Sequence, residues 1–116
     1  MDAMGREQVA SSLLRIAKGL LAASTEASLV RTLLEAAFKK GGIKVKYDDT
    51  METGKYIDVE FLVPGVSPFQ WEEVQDKAQS VLKRLKPNLI DMGLSGKIRV
   101  DVQGQRQLYM AVSVEK

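Results

Sequence analysis

The sequence contains no cysteine and no histidine, and it has only three prolines and one tryptophan among its 116 residues. Without cysteine there are no disulfides and no thiolate metal ligands, a composition that suits a reducing compartment, so we take the cytoplasm as the default location. Without histidine the chain lacks the commonest general base and a usual ligand of zinc, copper and haem. These absences exclude most familiar hydrolases and lead us to expect neither a cofactor nor a metal.

Long hydrophobic runs are missing as well. The richest stretch, residues 13–23, is interrupted by Arg15 and Lys18, so no segment has the apolar length needed to cross a bilayer. The net charge is only +2, which gives little long-range attraction for phosphate backbones unless a local patch provides it. The chain length is that of one domain, and we expect residues 1–116 to form a single α+β domain.

The first part of the chain has the periodicity of two helices. A first helix is predicted over residues 6–23, where one stripe is apolar: Val9, Leu13, Ile16 and Leu20. A second helix is predicted over residues 25–40, with Ser24 or Thr25 as its N-cap and the Gly41-Gly42 pair at its end. Together the two helices would form a helical hairpin.

Two later segments alternate between apolar and polar residues and predict β-hairpins. The first covers residues 43–63 with its loop at 48–54, and the second covers residues 97–115. Antiparallel pairing within the first hairpin would place Lys44 and Lys46 near Asp58 and Glu60. Both strands of each hairpin would have one buried and one solvated face.

The segment between the hairpins has the clearest local signals. Ser67 as N-cap, Pro68 as first helical residue and Gln70 as third form a capping-box pattern, and Trp71 is expected to pack into the core against Val66. The predicted helix covers residues 67–86 and ends at Pro87, followed by a loop to residue 96.

The resulting order is α-α-β-β-α-β-β. It predicts an α+β fold with a four-stranded, mainly antiparallel sheet and helices packed on one face. No internal repeat is evident in the sequence.

A packing count suggests a partner surface. A four-stranded sheet accommodates about two helices, whereas three are predicted, so Leu14 and Leu21 at the margin of the first helix lack an intramolecular cover. They are our candidate contacts for a protein partner or a second copy of the chain. Two alternatives remain open: the first helix completes the core, or it is a targeting or membrane-surface segment, against which Asp2 and Glu7 argue.

Nucleic-acid binding is the main alternative function. On the solvated face of the sheet, the alternation places basic and aromatic side chains together, a combination able to bind phosphates and stack bases: Lys44, Lys46, Arg99, Tyr56 and Tyr109. Acidic residues share this face, namely Asp58, Glu60 and Asp101, and would cancel part of the positive field.

A carboxylate-dependent enzyme is the least favoured alternative. Its candidates are the loop acids Asp48, Asp49 and Glu52 and the helix acids Glu72, Glu73 and Asp76. Turn formation and the helix dipole explain these acids without catalysis. The sequence therefore favours a small non-enzymatic protein-binding or assembly module that self-associates or joins a larger complex.

Overall fold

A computed structural model describes residues 22–104 and 106–116 of the chain. It contains two helices, four strands and a short 3₁₀ turn, Pro68–Gln70, in the order α1 (Ala22–Lys40), β1 (Lys46–Glu52), β2 (Tyr56–Val63), α2 (Trp71–Asp91), β3 (Ile98–Gly104) and β4 (Leu108–Glu115). The strands form one antiparallel sheet in the order β1-β2-β4-β3. The α+β class and the four-stranded antiparallel sheet are therefore confirmed. The helix predicted over residues 6–23 lies outside the described residues, apart from its last two.

Helix α1 begins earlier than its sequence suggests. Ser24 and Thr25 lie within the helix, so the predicted cap and turn at these residues are wrong. Serine and threonine cost only about half a kilocalorie per mole in a helix, too little to interrupt it by themselves. The predicted end is confirmed: Gly42 has a φ of 82°, and the Ile43 N–H donates to the Phe38 carbonyl at 2.8 Å. This is the Schellman arrangement that glycine favours.

The core lies between the two helices and one face of the sheet. Alternate residues of β2 and β4 are almost completely enclosed, and Val30, Leu34 and Phe38 of α1 pack with them. The rings of Phe38 and Phe61 meet edge to face with centroids 5.7 Å apart. Strands β2 and β4 thus bury every second side chain, which leaves the opposite sheet face to solvent.

Strand β1 extends through most of the predicted loop. Residues 48–52 belong to β1, and a bulge between Tyr47 and Asp49 shifts the register. Lys46 pairs with Leu62, while Asp49 and Met51 lie opposite Glu60 and Asp58. Asp58 and Glu60 are therefore paired with Met51 and Asp49 and not with Lys44 and Lys46 as predicted, because the connection is shorter than predicted and the bulge changes the pairing.

Helix α2 continues beyond Pro87, which lies inside the helix and does not end it. Proline costs about 3 kcal/mol in a helix interior. Leu89 is fully enclosed one turn after Leu85, and Leu94 is buried just beyond the helix. Each buried leucine contributes about 1.5–3 kcal/mol, which offsets the proline penalty.

The start of α2 also differs from the predicted capping box. The Ser67 hydroxyl accepts from the Phe69 N–H at 3.3 Å, and the Gln70 side-chain amide donates to Glu73 rather than returning to Ser67. A 3₁₀ turn precedes the helix and redirects these side chains. Trp71 is 41% exposed, so its predicted place in the core is wrong.

The chain contains a structural repeat that the sequence did not reveal to us. Ala27, Val30 and Leu34 of α1 recur 51 positions later as Ala78, Val81 and Leu85 of α2. The helix end is repeated as well: Gly93 has a φ of 89°, and the Leu94 N–H donates to the Leu89 carbonyl at 3.0 Å. Each half of the described chain is thus an α-β-β unit.

An approximate two-fold axis relates the two units. The same 51-residue offset maps Ile57, Val59, Phe61 and Val63 of β2 onto Leu108, Met110, Val112 and Val114 of β4, so the axis passes through the Glu60–Ala111 pair near the middle of the β2–β4 ladder. The outer strands β1 and β3 form the two edges of the sheet. Few identical residues remain between the units, which explains why sequence inspection missed the repeat.

Candidate binding surfaces

The open face of the sheet contains the residues predicted to bind nucleic acid. Lys46 and Arg99 lie on the two edge strands, so three strand spacings of about 4.8 Å separate their strands. Lys44 precedes β1, Tyr56 begins β2, and Tyr109 lies on β4 opposite Leu62. All are at least partly exposed. The five residues occupy the same side of the sheet region without converging on one patch.

Acidic side chains occupy the middle of this face. Glu60 pairs with Asp49 on one side and Ala111 on the other, and Asp101 lies opposite Ala111 on the next strand. The Tyr109 hydroxyl donates to Glu60 and, at 3.5 Å, to Asp48. The hydrogen bond to Glu60 raises the pKa of Tyr109 above its usual value, with smaller contributions from desolvation and the neighbouring negative charges. The phenol is therefore held neutral among carboxylates.

The carboxylates considered for catalysis do not converge. Glu52 forms an ion pair with Lys116 at 2.6 Å, while Asp48 and Asp49 lie on the open face. Glu72, Glu73 and Asp76 are exposed on α2. Among residues 22–104 and 106–116, no group of three potential metal-binding side chains comes together. The candidate partner residues Leu14 and Leu21 lie outside the described residues.

An exposed aromatic pair marks the beginning of α2. Phe69 is 95% exposed and Trp71 is 41% exposed, and we call this pair the aromatic knob. The turn beneath it is fixed by the Ser67 cap and by contact with β3, where any side chain at Gly104 would collide with the backbone of Pro68. Exposed Glu72 and Glu73 follow directly. Sequence reasoning missed Phe69 because it lies outside the apolar stripe of the predicted helix.

A shallow apolar groove of about 300 Å³ opens between the two helices. Its lining, which we call the helix groove, consists of Leu33, Ala36, Ala37, Lys40, Gly41, Val81, Arg84 and Leu85. Gly41 is required for the close helix approach, because a Cβ atom there would collide with Val81. The exposed side chains of Lys40 and Arg84 give the groove a basic rim.

A second groove, of about 540 Å³, lies between α2 and the edge strand β3. We call it the basic groove, and it is lined by Gln79, Leu82, Lys83, Lys86, Gly96, Lys97, Ile98, Arg99 and Val100. Its four cations are exposed, whereas Leu82 and Val100 are buried beneath them. None of the cations forms an ion pair within the described part of the chain.

The side chain of Gln75 hydrogen-bonds to the free backbone edge of β3 beside the basic groove. The Gln75 amide nitrogen donates to the Val100 carbonyl at 2.8 Å, and the Val102 N–H donates to the Gln75 amide oxygen at 2.7 Å. The amide thus occupies two backbone positions that a neighbouring strand would use. Such protection prevents an exposed edge strand from pairing with another chain.

Comparison with known proteins identifies no relationship: the sequence matches no protein-family model and no curated protein. Within the described residues, neither helix is long and apolar enough to cross a membrane. The function therefore has to be inferred from the surfaces themselves.

Proposed function

We propose that this chain is a non-enzymatic assembly module that associates with further copies of itself. The near-complete exposure of Phe69 is the observation that carries the proposal. A large aromatic ring in water adds nothing to the stability of an isolated chain, whereas buried aromatic residues are typical anchors of protein interfaces. The fixed turn beneath Phe69 also limits the entropy lost when the ring is buried in a partner.

The helix groove is the complementary surface. Its volume of about 300 Å³ exceeds the roughly 150 Å³ of a cavity known to hold a benzene ring. Phe69 cannot reach the groove of its own chain, because the helical rise between the level of Phe69 and that of Val81 is about 18 Å. The knob of one copy would therefore occupy the groove of another.

Charge supports the same pairing. Glu72 and Glu73 flank the aromatic knob, while Lys40 and Arg84 border the helix groove. Opposite charges around an apolar contact favour one orientation and accelerate association. Because knob and groove are different surfaces, the contact is head to tail and produces rings or open chains rather than a closed two-fold dimer.

Light scattering over a range of concentrations tests this proposal. We expect the average molar mass of the full-chain protein to increase with its concentration. Phe69→Ser should weaken association about 30-fold, equivalent to about 2 kcal/mol. Ala36→Glu should have a similar effect, since it places a long acidic side chain in the groove, at an exposed helix position, against the acids that follow the knob. Met51→Ser removes a side chain that is 63% exposed on the open sheet face and is the matched control.

Mixing the two weakened variants gives a sharper result. The Phe69→Ser protein keeps an intact groove and the Ala36→Glu protein keeps an intact knob, so together they should form a 1:1 dimer and nothing larger. A full chain that stays monomeric at all concentrations would refute the proposal. So would a mixture that remains monomeric while the unmodified chain associates.

A further inference from the structure

We infer that the basic groove is a binding site for the phosphate backbone of nucleic acid. Four cations meet there from two separate elements: Lys83 and Lys86 from α2, and Lys97 and Arg99 from β3 and the residue before it. No carboxylate is among the residues that line the groove. Gathering like charges is unfavourable unless an anion neutralises them, and a phosphate backbone provides a regular series of such anions.

The shape of the groove brings these charges together. Gly96 allows α2 to lie close to the start of β3, since a Cβ atom at this position would be 2.8 Å from Ile90 and 3.3 Å from the Lys86 side chain. Lys86 and Lys97 consequently border the same groove. The buried side chains of Leu82 and Val100 give it a firm base.

An acidic peptide fits this groove less well. An extended peptide usually gains its affinity by adding a strand to a free sheet edge, but Gln75 already occupies the Val100 carbonyl and the Val102 N–H. Three of the four cations are lysines, which bind phosphates as flexible point charges. The groove also has no aromatic residue to stack on a base, so we expect binding without sequence preference.

This site is independent of the assembly proposal, because it shares no residue with the aromatic knob or the helix groove. It also differs from the sheet-face hypothesis, in which Lys44 and Lys46 contribute and the central acids oppose binding. Arg99 is the residue that the two surfaces have in common.

Fluorescence anisotropy with labelled oligonucleotides tests the site. The probes are a single-stranded oligothymidine of about 20 nucleotides and a duplex of about 20 base pairs, titrated with the full chain from about 20 to 200 mM salt. If each cation neutralises one phosphate, the logarithm of affinity should fall against the logarithm of salt with a slope of about −2.8 for the single strand or −3.6 for the duplex.

Charge reversal locates the site. Lys83→Glu with Lys86→Glu should lower affinity at least about tenfold and reduce the salt slope by about half. Lys44→Glu with Lys46→Glu changes the net charge equally at exposed positions near the other sheet edge, and should have a much smaller effect. Lys97→Glu with Arg99→Glu reverses the same amount of charge on the opposite wall of the groove, and its loss of affinity should match.

Three outcomes would overturn the inference. The first is no binding of either probe at the lowest salt. The second is an equal loss in the groove and control pairs while circular dichroism shows both proteins folded. The third is binding of polyglutamate with no binding of either oligonucleotide, which would identify an acidic protein as the ligand. Measurement of each protein's mass at the probe concentrations separates these results from any change in self-association.

Discussion

Tyr109 has the most unusual chemistry among the described side chains. Its hydroxyl donates to Glu60 and lies 3.5 Å from Asp48, and the bond to Glu60 raises its pKa. A raised pKa means that folding favours the neutral phenol. The resulting stability is present below the ordinary tyrosine pKa of about 10, and is lost as the pH rises through the higher value of the folded protein.

Glu60→Gln should therefore lower the pKa of Tyr109 towards its ordinary value, because an amide acceptor does not repel the phenolate. Asp48→Asn should lower it less, since the longer contact with Asp48 is the weaker one. Carbon-13 NMR of labelled tyrosine, followed against pH, measures both shifts. Equal titration of the unmodified and Glu60→Gln proteins would show that the hydrogen bond does not control the phenol.

The aromatic residues at the start of α2 show that residue spacing predicts a helix but not the exposure of each side chain. The spacing of Trp71 with Val74 and Ala78 correctly placed a helix, but it could not show that a 3₁₀ turn precedes Trp71 and leaves the indole partly in water. Phe69 was overlooked because hydrophobic periodicity identifies residues that face the core. The exposed ring adds nothing to that pattern.

Among the elements, α2 makes the most consequential contact with the sheet edge. Gln75, in the second turn of the helix, joins it to β3 through two hydrogen bonds to backbone atoms. These bonds satisfy one carbonyl and one N–H of the edge strand that would otherwise need water as their partner. They also fix the position of α2 above β3, and hence the width of the basic groove.

Gln75→Ala should lower the free energy of unfolding by about 1–3 kcal/mol, because it leaves a partly buried carbonyl and N–H unpaired. Gln79→Ala, an exposed glutamine one turn later, is the control and should change stability by less than about 0.5 kcal/mol. Urea denaturation measures both values. Similar midpoints for the two variants would mean that water replaces the glutamine amide without loss.

The elements themselves could be predicted, but several of their limits could not. Alternation in β2 and β4 and the glycine after α1 gave the sheet and the first helix end correctly. Pro87 failed as a stop signal, since the burial of Leu89 and Leu94 outweighs a local penalty that sequence inspection sees first. The Asp48 bulge depends on pairing between strands, which one strand alone does not specify.

At the scale of the whole molecule, the fold class was predictable and the candidate sites were not. Lys44, Lys46 and Arg99 were correctly given to exposed positions, yet strand order places the first two and the last at opposite edges. The basic groove unites α2 with β3, and the helix groove unites α1 with α2. Such sites depend on packing between elements distant in the chain, which periodicity does not report.

The Glu60–Ala111 axis makes the two α-β-β units nearly equivalent partners across the β2–β4 ladder. Cleavage after Gly65, an exposed turn residue with a φ of 77°, would separate residues 1–65 from residues 66–116. We expect each fragment alone, at concentrations where it is monomeric, to lack a cooperative thermal transition and an equimolar mixture to regain one, as followed by circular dichroism. Full cooperative folding of either fragment as a monomer would contradict this expectation.

Because the repeat makes β2 and β4 equivalent, a separated half could pair either with the other half or with a second copy of itself. Two copies of the second fragment could align Ala111 on Ala111 and Met110 on Val112, in the register that β2 and β4 have now. The strand pair that joins the two halves is therefore also the site at which two neighbouring molecules could exchange them.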